Sequence, residues 1–205
     1  MSDSVSSDQS GLSTAPHHVV GIGASAGGLE ALERFVSQIP PDSGMAYVVV
    51  QHLSPDYKSM MAELLSKRTS LQVTAAQHET RVAPDTIYVI PPKHNITISD
   101  GALLLSDQDH ARGLNLPIDI FFRSLAEDQG ESAVGIVLSG TGSDGMRGVR
   151  SIKAEGGLVM VQDIESAKFD GMPASAISTG VADFVLPPEE MPERLLTWIR
   201  HPYVA

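Results

Sequence analysis

The chain has 205 residues, 42% of them apolar and none of them cysteine, enough for one well-filled core without a second domain of useful size, and with no disulfide, thiolate nucleophile or cysteine metal site. A formal net charge of -11 argues against phosphate-backbone binding, which needs clustered Lys and Arg, so nucleic acid is not an expected partner. No apolar run approaches the roughly 18 to 20 residues of a membrane span, and the N-terminus lacks the basic and apolar regions of a signal peptide, so no direct membrane insertion is expected and the chain reads as cytoplasmic.

Residues 1–18 are poor in large apolar side chains and rich in Ser, Asp and Gln, so they bury too little surface to offset their ordering entropy and are expected to form a disordered tail closed by solvated His17 and His18. From Val19 onward, through about residue 200, short β-branched runs alternate with helical periodicity. That pattern predicts a single α/β domain, doubly wound, with a mostly parallel sheet and helices on both faces. Val19 to Ile22 is the first predicted strand, and Gly21-Ile22-Gly23-Ala24-Ser25-Ala26-Gly27-Gly28 is a strand-to-helix turn. Leu29, Leu32, Val36 and Ile39 follow at helical spacing until Pro40-Pro41. Tyr47 to Val50 is so continuously apolar that it belongs mid-sheet, and it exits into Gln51-His52.

A helix is predicted over Lys58 to Arg68, with Met60-Met61 as core filler, then strands at Val73 to Ala76 and Thr86 to Ile90. Asn95 to Ser99 and Ala102 to Ser106 alternate around Asp100-Gly101, a strong signal for an antiparallel β-hairpin. Pro117 opens a helix whose inner face carries Ile118, Phe121, Phe122 and Leu125. Val134 to Leu138 is a buried-type strand running into a second glycine-rich turn, Ser139 to Gly145. A helix with Met146, Val149 and Ile152 ends at Gly156-Gly157. Leu158 to Val161, a short helix from Pro173, a strand at Phe184 to Leu186 and a last helix through Ile199 complete the chain.

The first glycine-rich turn supports two chemistries. As G-x-S-x-G, residues Gly23 to Gly27 form a nucleophile elbow that presents Ser25 at the carboxyl edge of the sheet. As G-x-G-x-x-A, residues Gly21 to Ala26 form a dinucleotide turn, which would need an acid near the end of the second strand, where this chain has Gln51 and His52. A plain tight turn with Ser25 as a helix N-cap is the structural alternative. His52 and Asp144 also follow predicted strands, and with Ser25 they supply the parts of an acyl-transfer triad: a weak hydroxyl nucleophile, an imidazole base and a carboxylate that fixes its tautomer. Each has its ordinary use as well, His52 as a backbone partner and Asp144 as a cap for the helix starting at Gly145. His78, His94 and His110 lack metal-ligand spacing, so no metal is expected, and His201 is expected to be solvated.

Val19 to Gly28 (VVGIGASAGG), Val49 to His52 (VVQH), Leu138 to Gly145 (LSGTGSDG) and Phe169 to Ile177 (FDGMPASAI) resemble the catalytic domain of the CheB-type chemotaxis receptor methylesterases. The resemblance implies a protein-glutamate methylesterase that releases methanol, with a glutamine deamidase side activity and no cofactor. By the same resemblance Ser25, His52 and Asp144 form the triad, while the backbone N–H of Ala26, next to the nucleophile, is the oxyanion donor expected from its place at a helix start. Methylated cytoplasmic helices of a chemoreceptor are the implied partner. Many members carry threonine in place of Ala26, methionine in place of Thr141, and an N-terminal receiver domain. The stretches Asn115 to Asp119 (NLPID) and Pro187 to Pro192 (PPEEMP) look more like the modules that precede a methyltransferase domain in fusion proteins, which makes such a domain a further expected partner. The alternative is a regulatory module that keeps this fold and works by binding.

Overall fold

The computed structural model describes residues 15–51, 60–108 and 114–200. In chain order these form β1 (Val19–Ala24), α1 (Gly28–Val36), β2 (Ala46–Gln51), α2 (Met61–Ser66), β3 (Gln72–Ala75), β4 (Thr80–Arg81), β5 (Thr86–Val89), β6 (His94–Ser99), β7 (Ala102–Asp107), α3 (Pro117–Gln129), β8 (Ala133–Val137), α4 (Met146–Ala154), β9 (Leu158–Gln162), α5 (Gly171–Ile177), β10 (Phe184–Leu186) and α6 (Met191–Arg200). Seven strands pair in the order β10-β9-β8-β1-β2-β5-β3, every neighbouring pair parallel. The predicted doubly wound sheet is therefore present, and strand order reverses between β1 and β8, the place where such sheets open a crevice at their carboxyl ends.

Side chains alternate between two cores along each central strand. Val20, Ile22, Tyr47 and Val49 pack with Leu32 and Phe35 of α1, Leu65 of α2 and Leu195 of α6. Val48, Val50 and Val137 face Phe121, Phe122 and Leu125 of α3, Ile152 of α4 and Met172 of α5. A strand covered on both faces has no polar side, which accounts for the unbroken apolar run in β2. The predicted hairpin is β6-β7, and its two-residue turn uses positive φ at both Asp100 and Gly101, the geometry that favours an Asp-Gly pair. It belongs to a separate sheet, β4-β7-β6. Two-residue β4 is too short to leave a period in the sequence. The hairpin packs on α3 through Ile96, Ile98 and Leu103, and Ile98 N–H donates to Ser124 Oγ at 3.1 Å.

Gly21 and Gly23 play a part other than turn-making. Both lie inside β1, which runs on to Ala24, and both are buried. A Cβ on Gly21 would stand 2.9 Å from Phe121 Cε1, and one on Gly23 would stand 2.5 Å from Ile118 Cγ2. Real side chains do not approach so closely, so these glycines are what let α3 lie against the sheet. They face a helix, which removes the phosphate-cradling role of the dinucleotide reading.

Two smaller expectations hold only in part. Met61 is buried but Met60 is 57% exposed, so half of that pair fills core. His17 is exposed, as expected, although its backbone N–H donates to Gly44 O; His18 is not free in solvent, since Ala46 N–H donates to His18 O and the half-buried His18 ring meets Trp198 of α6 edge-on with centroids 6.0 Å apart. The last residues assigned to the tail thus lead directly into β1, while residues 1–14 lie outside those described.

Burial, with His17 alongside, pushes the His18 imidazole below its ordinary value, and its Nδ1 is buried with no hydrogen-bond partner among the described residues. A base whose folded pKa lies below its unfolded value binds its proton more weakly when folded, so its contribution is full at neutral pH and drains as pH falls from about 6.5 through the folded value. The thermal midpoint of the wild type relative to a His18→Gln variant should therefore fall between about pH 7 and pH 5. Trp198 is the one tryptophan in the chain, so its emission follows the same transition. A pH-independent difference between the two proteins would show that the ring is not desolvated.

Candidate active site

Ser25 leaves the carboxyl end of β1 and is fixed by backbone bonds at both ends: its N–H donates to Ser139 O at 3.0 Å, and its carbonyl accepts Gly28 N–H at 2.9 Å. Gly27, in the left-handed region at φ 72°, is the N-cap of α1, and no side chain caps that helix. The N-cap reading of Ser25 is thus incorrect. Its hydroxyl has no hydrogen-bond partner among the described residues, and neither does the N–H of Ala26, which lies beside it at the helix start. Gly140 explains how the two glycine-rich loops come so close. A Cβ there would stand 2.9 Å from Ser25 Cβ and would overlap Met172 Sδ.

Asp144, 2% exposed, receives backbone donors on both oxygens. Its Oδ2 accepts from Ile118 N–H at 3.0 Å, and its Oδ1 accepts from the N–H groups of Asp119 and Gly145, both at 2.9 Å. The expected cap of the helix after Gly145 is mostly a cap of a different helix, since Ile118 and Asp119 open α3. Helix N-termini favour a negative group by unpaired donors and by their dipole, so an ionised carboxylate is well held here. Asp119 is buried in turn, 3% exposed, with Oδ1 accepting Gly148 N–H of α4 at 2.7 Å. Burial pushes the Asp119 carboxyl above its ordinary range and the Asp144 charge pushes the same way, against the backbone donors of Gly148, Arg147 and Gly145.

His52 lies outside the described residues. It is bonded to Gln51, the last residue of β2, whose register partner is Ala24, the residue before Ser25. The Gln51 amide donates to Ser25 O at 3.5 Å. An open groove of about 310 Å³ lies over these residues, lined by Ser25, Gly27, Leu29, Glu30, Glu33, Gln51 and Lys168. Among the described residues, no three His, Asp or Glu side chains are grouped to hold a metal.

Ser139, Gln162 and Asp119 carry the site and escaped sequence reasoning. A serine in a glycine-rich turn reads as solvated, a glutamine at a strand end reads as an edge, and an aspartate in a first helical turn is ordinary. In the fold Ser139 is 1% exposed and ties three segments together. Its N–H donates to Gln162 Oε1 at 2.8 Å, its Oγ accepts Phe169 N–H at 3.0 Å, and its single hydroxyl proton serves Ala26 O at 3.0 Å or Phe169 O at 3.2 Å. Ser139→Ala should lower the unfolding free energy by about 1–3 kcal/mol, the usual consequence of leaving buried groups unpaired. Urea titration measures this, and a change below about 0.5 kcal/mol, ordinary for a surface substitution, would show that the hydroxyl does not hold the loops.

A family model described as CheB methylesterase matches residues 20–195. Among curated relatives, the protein-glutamate methylesterase FrzG of Myxococcus xanthus is 33% identical over 185 residues, covering 90% of this chain and 55% of that protein. A protein-glutamate methylesterase/protein-glutamine glutaminase of Geobacter metallireducens is 35% identical, covering 88% and 51%. A 104.1 kDa uncharacterized protein of Rhodobacter capsulatus is 48% identical over 126 residues, 62% of this chain and 13% of that one. The chain thus spans about half the length, or less, of the curated relatives it matches. The crystal structure of the Thermotoga maritima CheB methylesterase catalytic domain superposes with a TM-score of 0.81 at 30% identity, covering 88% of this chain and 97% of that one.

Proposed function

The chain belongs to the CheB methylesterase family, and from that premise we propose that it hydrolyses glutamyl methyl esters on the cytoplasmic helices of a chemoreceptor, releasing methanol. Ser25 Oγ attacks the ester carbonyl as His52 accepts its proton, and Asp144 holds His52 in the tautomer that presents a free nitrogen to the hydroxyl. The Ala26 N–H stabilises the oxyanion at the positive end of α1. His52 then returns the proton to the departing methoxide oxygen, and a water molecule, activated by the same imidazole, hydrolyses the acyl-enzyme. The same steps deamidate a glutamine side chain, with ammonia as leaving group.

The observation that carries this reading is the convergence at the sheet's switch point: Ser25 after β1 is bonded to Ser139 after β8, with Asp144 in that same loop and Gln51 paired beside Ala24. No described helix is long and apolar enough to cross a membrane, and a cytoplasmic location suits a receptor's cytoplasmic helices. A methyltransferase domain in the same polypeptide or complex is the partner we assign from the sequence around Asn115 and Pro187. The test is methanol release from methyl-labelled chemoreceptor fragments, with the Ser25→Ala variant alongside. Release by the wild type alone supports the esterase. Fragments bound with no release from either protein would favour a binding module.

A further inference from the structure

The two buried aspartates form a closed interlock. Asp144 accepts the N–H groups of Ile118 and Asp119 at the start of α3, and the chain then runs through Gly145 into α4. Asp119, from the first turn of α3, accepts Gly148 N–H in the first turn of α4. Each acid thus caps the helix that carries or follows the other. Beside this pair, a Cβ on Gly148 would lie 2.5 Å from Phe122 Cβ, so the two helices already touch and leave no slack. In the loop before Asp144, Thr141, Gly142 and Ser143 are exposed, Gly142 takes φ 83°, and its carbonyl accepts the Ser175 hydroxyl at 3.3 Å.

The outer oxygen of Asp119 takes no part in this link. Oδ2 is buried and has no hydrogen-bond partner among the described residues, although a buried carboxylate oxygen normally finds one. The link between the helices therefore rests on the single acceptor Oδ1, which an asparagine would also supply.

We infer that Asp119 is a positioning residue for Asp144: by locking the first turn of α4 to that of α3, it fixes the direction from which the Asp144 carboxylate meets the catalytic imidazole. This rests on the triad reading above. Asp119 touches neither substrate nor reacting atoms, so its removal should affect orientation and leave substrate affinity alone.

The experiment compares Asp119→Ala and Asp119→Asn with the wild type in methanol release, and follows the downfield imidazole N–H proton by NMR. Asp119→Ala loses the acceptor for Gly148 and should lower kcat by about 100-fold with KM unchanged, the size expected for a small misplacement of a catalytic group. Its downfield proton should broaden or shift. Asp119→Asn keeps an acceptor oxygen for Gly148 and should retain kcat within about threefold, with the wild-type proton signal. Wild-type kcat in Asp119→Ala, or an equal loss in Asp119→Asn with native circular dichroism, would overturn the positioning role. Should the wild type itself release no methanol, the esterase reading fails, and the proton decides separately: an unchanged signal in Asp119→Ala overturns the interlock, and a shifted one supports it.

Discussion

Ser25→Ala should reduce turnover of a glutamyl methyl ester on the order of 10⁶-fold, the loss seen when a triad nucleophile is removed, equivalent to about 8 kcal/mol of transition-state stabilisation. The same change should leave the fold almost untouched. Both backbone bonds of Ser25, to Ser139 O and from Gly28 N–H, survive in alanine, and the hydroxyl that disappears has no described partner. The unfolding free energy should change by less than about 0.5 kcal/mol, as for a surface substitution. That pairing of a very large kinetic effect with a negligible stability effect is what separates a nucleophile from a cap, whose removal lowers stability by about 1 kcal/mol and leaves turnover largely intact. Measured by methanol release and urea unfolding, wild-type turnover in the variant would remove Ser25 from the reaction.

Asp144→Ala should fail in both respects. Loss of the carboxylate that orients the base lowers kcat about 10⁴-fold in triad enzymes. It also leaves the buried N–H groups of Ile118, Asp119 and Gly145 without their acceptor, at about 1–3 kcal/mol each. Against a total of about 5–15 kcal/mol for a typical domain, that loss is enough to threaten folding. Asp144→Asn is the informative comparison. Its oxygen can serve Asp119 and Gly145, but its NH₂ then faces Ile118 N–H, donor against donor, so the variant should lose about 1–3 kcal/mol while turnover falls nearly as far as in alanine. Unfolding midpoints equal to wild type in both variants would show that α3 does not depend on this carboxylate.

The capping contacts of Asp144 show what the sequence left open. That an aspartate before a glycine and a helix would cap something was legible, because the local pattern is that of an N-cap. Which helix it caps was not, since α3 begins 27 residues earlier, at Pro117, and comes to Asp144 only because Gly21 and Gly23 let it lie flat on β1. Those glycines looked like parts of a turn, as their stretch leads into a real turn at Gly27. Periodicity reports which residues face inward, but it does not report what they face.

The sequence by itself determined the order of the main strands and helices of the α/β domain and the Asp-Gly hairpin, because each is a consequence of local propensity or period, and residue chemistry named Ser25, His52 and Asp144 as candidates for acyl transfer. Only the tertiary structure decided that Ser139 and Gln162 tie the Ser25 loop to the neighbouring strands, that Asp119 and Asp144 cap each other's helices, and that the hairpin joins β4 in a sheet of its own. These are pairings between segments far apart in the chain, satisfied by single polar atoms. Nothing in the spacing of residues along one segment records which distant donor will be left needing an acceptor when the helices close on the sheet.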